Sequence, residues 1–122
     1  MENTKNRILV IDDEASVLKM LDLYLERMGF EVETALSRED TIKKLATKGY
    51  DLVLTDMIMP GISGNDVLNL IRIERKLSTP VIAMSGTPWV FEGSHFSATI
   101  TKPFSIQELS TVVDQFVQKT QP

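Results

Sequence analysis

The stretch VLTDMIMPGISG, residues 53–64, joins a run of apolar residues to one acid, Asp56, and to a turn that contains proline and glycine. Short continuous apolar runs are typical of strands that are buried on both faces of a parallel sheet. Strand interiors rarely hold an unpaired carboxylate, so Asp56 is predicted to stand where the strand leaves the core. Two interpretations follow for Asp56: a residue that only starts a turn, or an acid that does chemistry.

Five stretches predict strands, and apolar residues at helical spacing lie between them. The predicted strands are residues 7–11, 30–35, 51–55, 80–84 and 97–101. Gly29 is placed to end the first helix, while Ser37 and Ser105 are placed to begin two others. The spacing puts Ile73 partly inward and Ile106 on the apolar face of the last helix. Strands that alternate with helices imply an α/β fold, a doubly wound five-stranded parallel sheet with right-handed crossovers.

The composition fits a single domain, residues 1–122, with a core at about residues 7–117. The chain has no cysteine and one histidine, which excludes disulfides, thiolate metal sites and multi-histidine sites within it. The net charge is −4 and the 13 basic residues are scattered, so direct nucleic-acid binding is not expected. No apolar stretch approaches the ~18 residues that span a membrane, and no signal peptide is recognisable, so a cytoplasmic location is predicted.

Polar and charged side chains follow the predicted strands where those strands end. They are Asp12, Asp13 and Glu14 after the first strand, Asp56 after the third, Ser85 after the fourth and Lys102 after the fifth. Sites in open parallel sheets form at the carboxyl ends of the strands, so these groups are expected to converge. Clustered carboxylates repel one another unless a cation offsets their charge, and Mg²⁺ prefers oxygen ligands. With an ammonium and a hydroxyl added, the set predicts a phosphoryl-binding pocket in which an aspartate is the nucleophile.

Four motifs, VIDDE, LTDMIMPGISG, AMSG and TKPF, resemble in order and spacing the receiver domain of two-component response regulators. The resemblance covers about residues 7–117. It implies a flavodoxin-like receiver fold that takes a phosphoryl group from a phosphohistidine on a sensor histidine kinase or phosphotransfer protein. It also implies Mg²⁺ as the cofactor, and a conformational switch that changes contacts with a downstream protein partner.

The resemblance assigns roles residue by residue. It makes Asp56 the phosphoacceptor, and it implies magnesium ligands at Asp12 (often through water), Asp13, Asp56 and the backbone carbonyl of Ile58. Ser85 and Lys102 are expected to contact the phosphoryl group, with Ser85 moving toward it on activation. Pro103 is expected to follow Lys102 through a cis peptide bond, a feature that is essentially confined to proline.

The sequence departs from the family between the fourth and fifth strands. Residues 86–96 leave eleven residues for the connection, whereas a parallel crossover needs about a dozen or more. Gly86, Pro88 and Gly93 further oppose a regular helix. We therefore predict that the family's fourth helix is short or absent here. Two interpretations stay open for the aromatic residues nearby, which are core packing or a partner surface; these residues are Trp89, Phe91 and Phe96.

The switch region departs from the family as well. Thr99 stands where the family usually has a tyrosine or phenylalanine, so the aromatic part of the switch is in question. Ile58 and Thr87 occupy the two places that, in the family, tune how long the phosphoryl group survives. Because an apolar Ile58 cannot orient a water by hydrogen bonding, a long-lived phosphorylated form is predicted.

Other functions fit the sequence less well. A haloacid-dehalogenase-type phosphatase would need its nucleophile directly after the first strand, whereas the best candidate nucleophile here, Asp56, follows a later strand. A nucleotide-binding domain would need a glycine-rich phosphate loop there. The remaining alternative is a receiver-like interaction module that works without phosphorylation. We expect no turnover of a separate substrate, and the sequence leaves open whether the chain is part of a longer protein.

Overall fold

The computed structural model describes residues 6–87 and 95–117. The strands are β1 (Arg7–Ile11), β2 (Glu31–Ala35), β3 (Leu52–Asp56), β4 (Ile58–Met59), β5 (Ile62–Ser63), β6 (Val81–Ser85) and β7 (Ala98–Thr101). The helices are α1 (Ala15–Arg27), α2 (Arg38–Thr47), α3 (Gly64–Asn69) and α4 (Ile106–Asp114), and a π-helical turn, Leu70–Glu74, continues α3. Among the described residues, no helix combines the length and apolar character needed to cross a membrane.

Five of the strands form one parallel sheet in the order β2-β1-β3-β6-β7. All five strands that the sequence predicts are present, within a residue at their ends. The central strands β1, β3 and β6 are the most apolar, while the more polar β2 and β7 lie at the edges, where water reaches one side. β2 and β3 lie on opposite sides of β1, so the connections before and after β2 run in opposite directions along the sheet. This reversal opens a crevice at the carboxyl ends of β1 and β3.

Apolar side chains cover both faces of the sheet, which confirms the doubly wound arrangement. One core cluster joins the sheet to α1 and α4 through residues such as Leu21, Leu25 and Leu109. The other joins it to α2 and α3 through residues such as Leu45 and Val67. Because both faces are packed, the strands are held rigidly and their carboxyl ends are fixed relative to one another.

Side chains cap the helices as the sequence predicts. The Ser37 hydroxyl accepts a hydrogen bond from the Asp40 backbone N–H, 3.2 Å away, at the start of α2. Ser105 and Glu108 form a reciprocal capping box at the start of α4, with both bonds at 3.0 Å. Gly29 follows α1 with a φ of 99°, a left-handed conformation that glycine adopts without steric cost.

The turn after Asp56 is more ordered than the sequence indicates. β4 and β5 pair as a small antiparallel hairpin, and α3 begins directly after it. Ser63 and Asp66 form a capping box there, which the sequence analysis missed. At Gly64, an added Cβ would lie 2.9 Å from the Met57 sulfur and 3.1 Å from the Met57 Cα. The hairpin therefore needs glycine at residue 64 to close against the end of β3.

Two residues predicted to face inward are exposed. Ile73 is 67% exposed, and Ile106 is 50% exposed. The π-helical turn adds a residue to its turn, which rotates Ile73 away from the inward α-helical register. Ile106 is the first residue of α4, and burial begins one turn later at Leu109.

The connection between β6 and β7 lies largely outside the described residues. The predicted loss of the fourth helix falls on residues 88–94, as do Trp89 and Phe91, so these expectations stay untested. Phe96, which is described, is half-buried and packs against the core cluster on the α2 and α3 face. The core interpretation therefore holds for Phe96.

Candidate functional site

Three carboxylates meet at the carboxyl edge of the sheet. Ile11 and Thr55 are paired across β1 and β3, so the residues that follow them, Asp12 and Asp56, arrive at the same level. Carboxylate oxygens of Asp12, Asp13 and Asp56 lie within 4.8 Å of one another. Asp12 is fully buried and Asp56 is 9% exposed, whereas Asp13 faces solvent. The acids predicted from strand ends are thus one cluster, open to water on one side.

Lys102 reaches this cluster from the edge of the sheet. Its ammonium nitrogen donates a hydrogen bond to Asp12 Oδ2 at 3.0 Å and lies 3.5 Å from Asp56 Oδ1. The peptide bond from Lys102 to Pro103 is cis, as predicted. One ammonium therefore contacts two of the three carboxylates, and three acids beside one lysine leave the cluster with more acidic than basic groups.

The electrostatics of the site follow from burial and from these contacts. Burial raises the pKa of Asp56; Lys102 lowers it, Asp12 and Asp13 raise it, and the net pKa is above the usual value. Burial lowers the pKa of Lys102, but the hydrogen bond and charge of Asp12, together with Asp56, leave it above its usual value. Lys102 is therefore charged at neutral pH, and its single charge offsets only part of the charge that the acidic cluster can carry.

Asp12 is fixed from two sides. Its Oδ1 accepts a hydrogen bond from the Glu14 backbone N–H at 2.9 Å, while its Oδ2 accepts the bond from Lys102. Its own backbone N–H donates to the Ala35 carbonyl, 3.2 Å away at the end of β2. Asp12 thus joins the loop before α1 to the lysine, and its carboxylate is held in one orientation.

Ser85 ends β6, beside the strand that carries Asp56. It is 4% exposed, and the pairing of Asp56 with Met84 places it one residue past the level of the acid. The Ser85 hydroxyl lies 2.9 Å from the Thr87 hydroxyl and accepts a hydrogen bond from the Thr87 backbone N–H at 3.0 Å. Within the described residues, its hydroxyl bonds to Thr87 and not to Asp56. The sequence predicted the place of Ser85 but missed this bond.

Two other predicted residues are exposed. Ile58, which opens the hairpin, has 61% of its surface exposed beside the acidic cluster. Thr99 is exposed on β7, where it pairs with Ala83 of β6. A threonine therefore stands on the sheet edge where the family expectation was an aromatic ring. Met57 and Met59, the neighbours of Ile58 in the chain, are buried and serve as packing.

An open, doubly wound parallel sheet with an acidic cluster, a lysine and a hydroxyl at its carboxyl edge defines an α/β domain built for phosphoryl or metal chemistry. A family model described as "Response regulator receiver domain" matches residues 8–114. The chain belongs to this family of receiver domains, which are the phosphoacceptors of two-component response regulators.

Curated relatives are longer than this chain. The alkaline phosphatase synthesis transcriptional regulatory protein PhoP of Bacillus subtilis is 32% identical over 120 residues, which are 94% of this chain and 50% of PhoP. The transcriptional regulatory protein ResD of the same organism is 37% identical over 84 residues, which are 69% of this chain and 34% of ResD. The chain thus spans about half or less of these relatives.

Solved structures share the fold. The response regulator TrrA of Thermotoga maritima, in complex with Mg(2+)-BeF, has a TM-score of 0.82 and 32% identity, and the match covers 92% of this chain and 99% of that one. The chemotaxis protein CheY4 of Vibrio cholerae has a TM-score of 0.84 at 21% identity, and the match covers 93% and 100% of the two chains. The second likeness concerns the fold alone.

Proposed function

We propose that this receiver domain accepts a phosphoryl group on Asp56 from the phosphohistidine of a sensor histidine kinase or phosphotransfer protein. The observation that carries the proposal is the meeting of Asp56 with Asp12, Asp13 and Lys102, with carboxylate oxygens within 4.8 Å and the lysine 3.5 Å from Asp56. A nucleophilic carboxylate beside a cation site and an ammonium has the parts that phosphoryl transfer needs.

The donor set fits Mg²⁺. It consists of oxygen atoms, it carries excess negative charge, and the exposed Asp13 leaves room for the water that Mg²⁺ usually keeps. Asp13, Asp56 and the Ile58 carbonyl would hold the ion, with Asp12 helping through water. When bound, the ion supplies positive charge next to the oxygens of the transferred group. The similarity to TrrA, whose structure was solved with Mg(2+)-BeF, supports this assignment.

The chain's own residues then have distinct tasks in the transfer. An Asp56 oxygen attacks phosphorus and forms an O–P bond, while the bond from phosphorus to the histidine nitrogen breaks and its electron pair returns to the imidazole. Lys102 would pair with a phosphoryl oxygen and Ser85 would donate a hydrogen bond to another, and the proximity of Lys102 to Asp56 and of β6 to β3 supports these roles. Asp12 orients Lys102 through their 3.0 Å hydrogen bond.

The output is a change in contacts with a downstream protein. Phosphorylation adds charge at the rim where Ser85 and Lys102 meet, and loops there carry the change outward. We propose that the chain works in the cytoplasm, that it makes no direct contact with nucleic acid or membrane, and that it does not turn over a separate substrate.

Beryllofluoride, a phosphoryl mimic, tests the proposal. Amide NMR spectra with Mg²⁺ and beryllofluoride are expected to show shifts around residues 56, 85 and 102 in the wild type and none in Asp56→Asn. Asp114→Asn, which removes an exposed acid at the end of α4, is the matched control and is expected to shift like the wild type.

One observation favours the alternative of an interaction module that works without phosphorylation: the exposed Thr99 offers no aromatic ring for the switch. The same spectra separate the two functions. If beryllofluoride causes no shift that depends on Asp56, the phosphoacceptor proposal fails and the interaction module is favoured.

A further inference from the structure

The Ser85 hydroxyl is already engaged before any phosphoryl group arrives. It accepts a hydrogen bond from the Thr87 backbone N–H at 3.0 Å, and it lies 2.9 Å from the Thr87 hydroxyl, well within hydrogen-bond distance. Both residues are shielded from bulk water, since Ser85 is 4% exposed and Thr87 is half-buried. A local side-chain bond of this kind therefore has little competition from solvent.

A hydroxyl has a single proton, so it cannot donate to Thr87 and to a phosphoryl oxygen at the same time. A serine hydroxyl has one proton to donate and two lone pairs that accept. The Thr87 N–H occupies one lone pair, and the Thr87 hydroxyl takes either the proton or the second lone pair. An ionised phosphoryl oxygen only accepts, so it needs the Ser85 proton. Where the Thr87 hydroxyl takes that proton, Ser85 has to give up the bond before it can donate to the phosphoryl group.

The backbone around Ser85 shows which part is free to move. Met57 N–H donates to the Met84 carbonyl at 2.8 Å, and Lys102 N–H donates to the Ser85 carbonyl at 2.8 Å, so the end of β6 is held from both neighbouring strands. After it the packing opens, because a Cβ added at Gly86 would meet nothing within 4 Å. The hydroxyl of Ser85, together with Gly86 and Thr87, can thus rearrange while the strand stays in place.

We propose that Thr87 is a positioning residue whose hydroxyl accepts the Ser85 proton, holds the Ser85 hydroxyl away from the phosphoryl site and so weakens phosphoryl binding there. The inference rests on the proposed phosphoacceptor function of Asp56. In it, Thr87 sets a threshold: phosphoryl binding exchanges the Ser85–Thr87 bond for a bond from Ser85 to a phosphoryl oxygen. Losing the Thr87 hydroxyl removes this competition and favours the occupied state.

A titration with beryllofluoride at fixed Mg²⁺, followed by NMR, tests the threshold. Thr87→Val keeps the shape and the backbone N–H but removes the hydroxyl, so its apparent affinity is expected to rise about two- to tenfold, the net worth of one hydrogen bond. Thr87→Ser restores the hydroxyl and is expected to stay near the wild type. Thermal unfolding of each variant, compared with the wild type, confirms that the same fold is being titrated.

A double-mutant cycle shows whether the effect passes through Ser85. In the Ser85→Ala background, Thr87→Val is expected to leave the affinity unchanged. An affinity of Thr87→Val equal to or weaker than that of the wild type overturns the inference, as does a gain that persists without the Ser85 hydroxyl. If the wild type itself shows no binding that depends on Asp56, the proposed function fails, and this inference fails with it.

Discussion

At the scale of single residues, Asp56 illustrates a conflict between stability and function. Its carboxylate is buried beside two other acids, and one lysine offsets only part of the charge. Such an arrangement costs stability when the group is ionised. Clusters of this kind are typical of sites that bind a cation or carry out chemistry. This electrostatic cost is confined to the edge of the sheet, because the strands that carry these residues are packed on both faces.

Neutralising Asp56 is expected to stabilise the fold at neutral pH. The acid titrates near 3.8 in the unfolded chain and at higher pH in the folded chain, because burial raises its pKa. The folded state binds the proton more tightly, so stability falls as pH rises through that window and stays reduced above it. Asp56→Asn should therefore be more stable than the wild type at neutral pH.

Urea denaturation at neutral pH and at a pH of about 3 measures this gain. At the lower pH both side chains are uncharged, so the Asp56→Asn gain should disappear. Asp114→Asn, which removes an exposed acid outside the cluster, is the control variant. A variant that is less stable than the wild type at neutral pH would contradict the electrostatic account.

Ile58 bears on the lifetime of the phosphorylated form. Its apolar side chain, 61% exposed beside Asp56, gives a hydrolytic water no hydrogen-bond partner. Ile58→Asn supplies one and is expected to speed the loss of the phosphoryl group about fivefold, the effect of one hydrogen bond on a barrier. The decay of the phosphorylated protein in Mg²⁺ measures it, with Ile58→Val as the control. A wild-type half-life of seconds would refute the expectation of a long-lived form.

At the scale of elements, the connection between β3 and α3 holds the backbone that follows Asp56 in place. The chain leaves Asp56, forms the hairpin of β4 and β5, and returns so closely that the Gly64 N–H donates to the Met57 carbonyl at 2.8 Å. This return holds the end of β3, and with it the Ile58 carbonyl that is proposed as a metal ligand. The hairpin therefore positions a proposed ligand as well as forming a turn.

Gly64→Ala is expected to lower the free energy of unfolding by about 1–3 kcal/mol, the usual cost of overpacking. The added Cβ would lie 3.1 Å from the Met57 Cα, a backbone atom that cannot move aside cheaply. Gly49→Ala is the matched control, because nothing lies within 4 Å of a Cβ at that residue. Urea denaturation of both variants measures the difference, and equal effects would show that the close approach is unimportant.

The two elements that sequence reasoning misjudged share a physical cause. A π-helical turn and a two-residue hairpin depend on how α3 packs against the sheet, and local periodicity does not record that packing. Ile73 fits the inward helical pattern, yet the wider turn exposes it. The bond from Ser85 to Thr87 had a sequence signal, two hydroxyl residues two positions apart after a strand, but its geometry needed the structure.

At the scale of the whole molecule, the sequence predicted the sheet and the site together for one reason. Buried parallel strands appear as continuous apolar runs, and their carboxyl ends must meet at one edge. Asp12, Asp13, Asp56 and Lys102 could therefore be grouped from the sequence alone. For the connection between β6 and β7 the sequence predicts only a short or absent helix, and that expectation falls on residues 88–94, outside the described part of the chain.

Binding of Mg²⁺ is expected to stabilise the whole domain. An ion that binds only the folded state raises the free energy of unfolding by about 1.4 kcal/mol at about ten times its dissociation constant. Thermal unfolding with increasing Mg²⁺ measures this rise, which should be much smaller in Asp13→Asn, where an exposed ligand is lost. Asp114→Asn should respond like the wild type. Equal responses in all three proteins would exclude the acidic cluster as the site.

Intact-mass spectrometry after incubation with acetyl phosphate and Mg²⁺ tests the central claim most directly. The account predicts that the wild type gains the mass of one phosphoryl group, that chelating Mg²⁺ abolishes the gain, and that Asp56→Asn shows none. Absence of the adduct in the wild type, or the same adduct in Asp56→Asn, would contradict it.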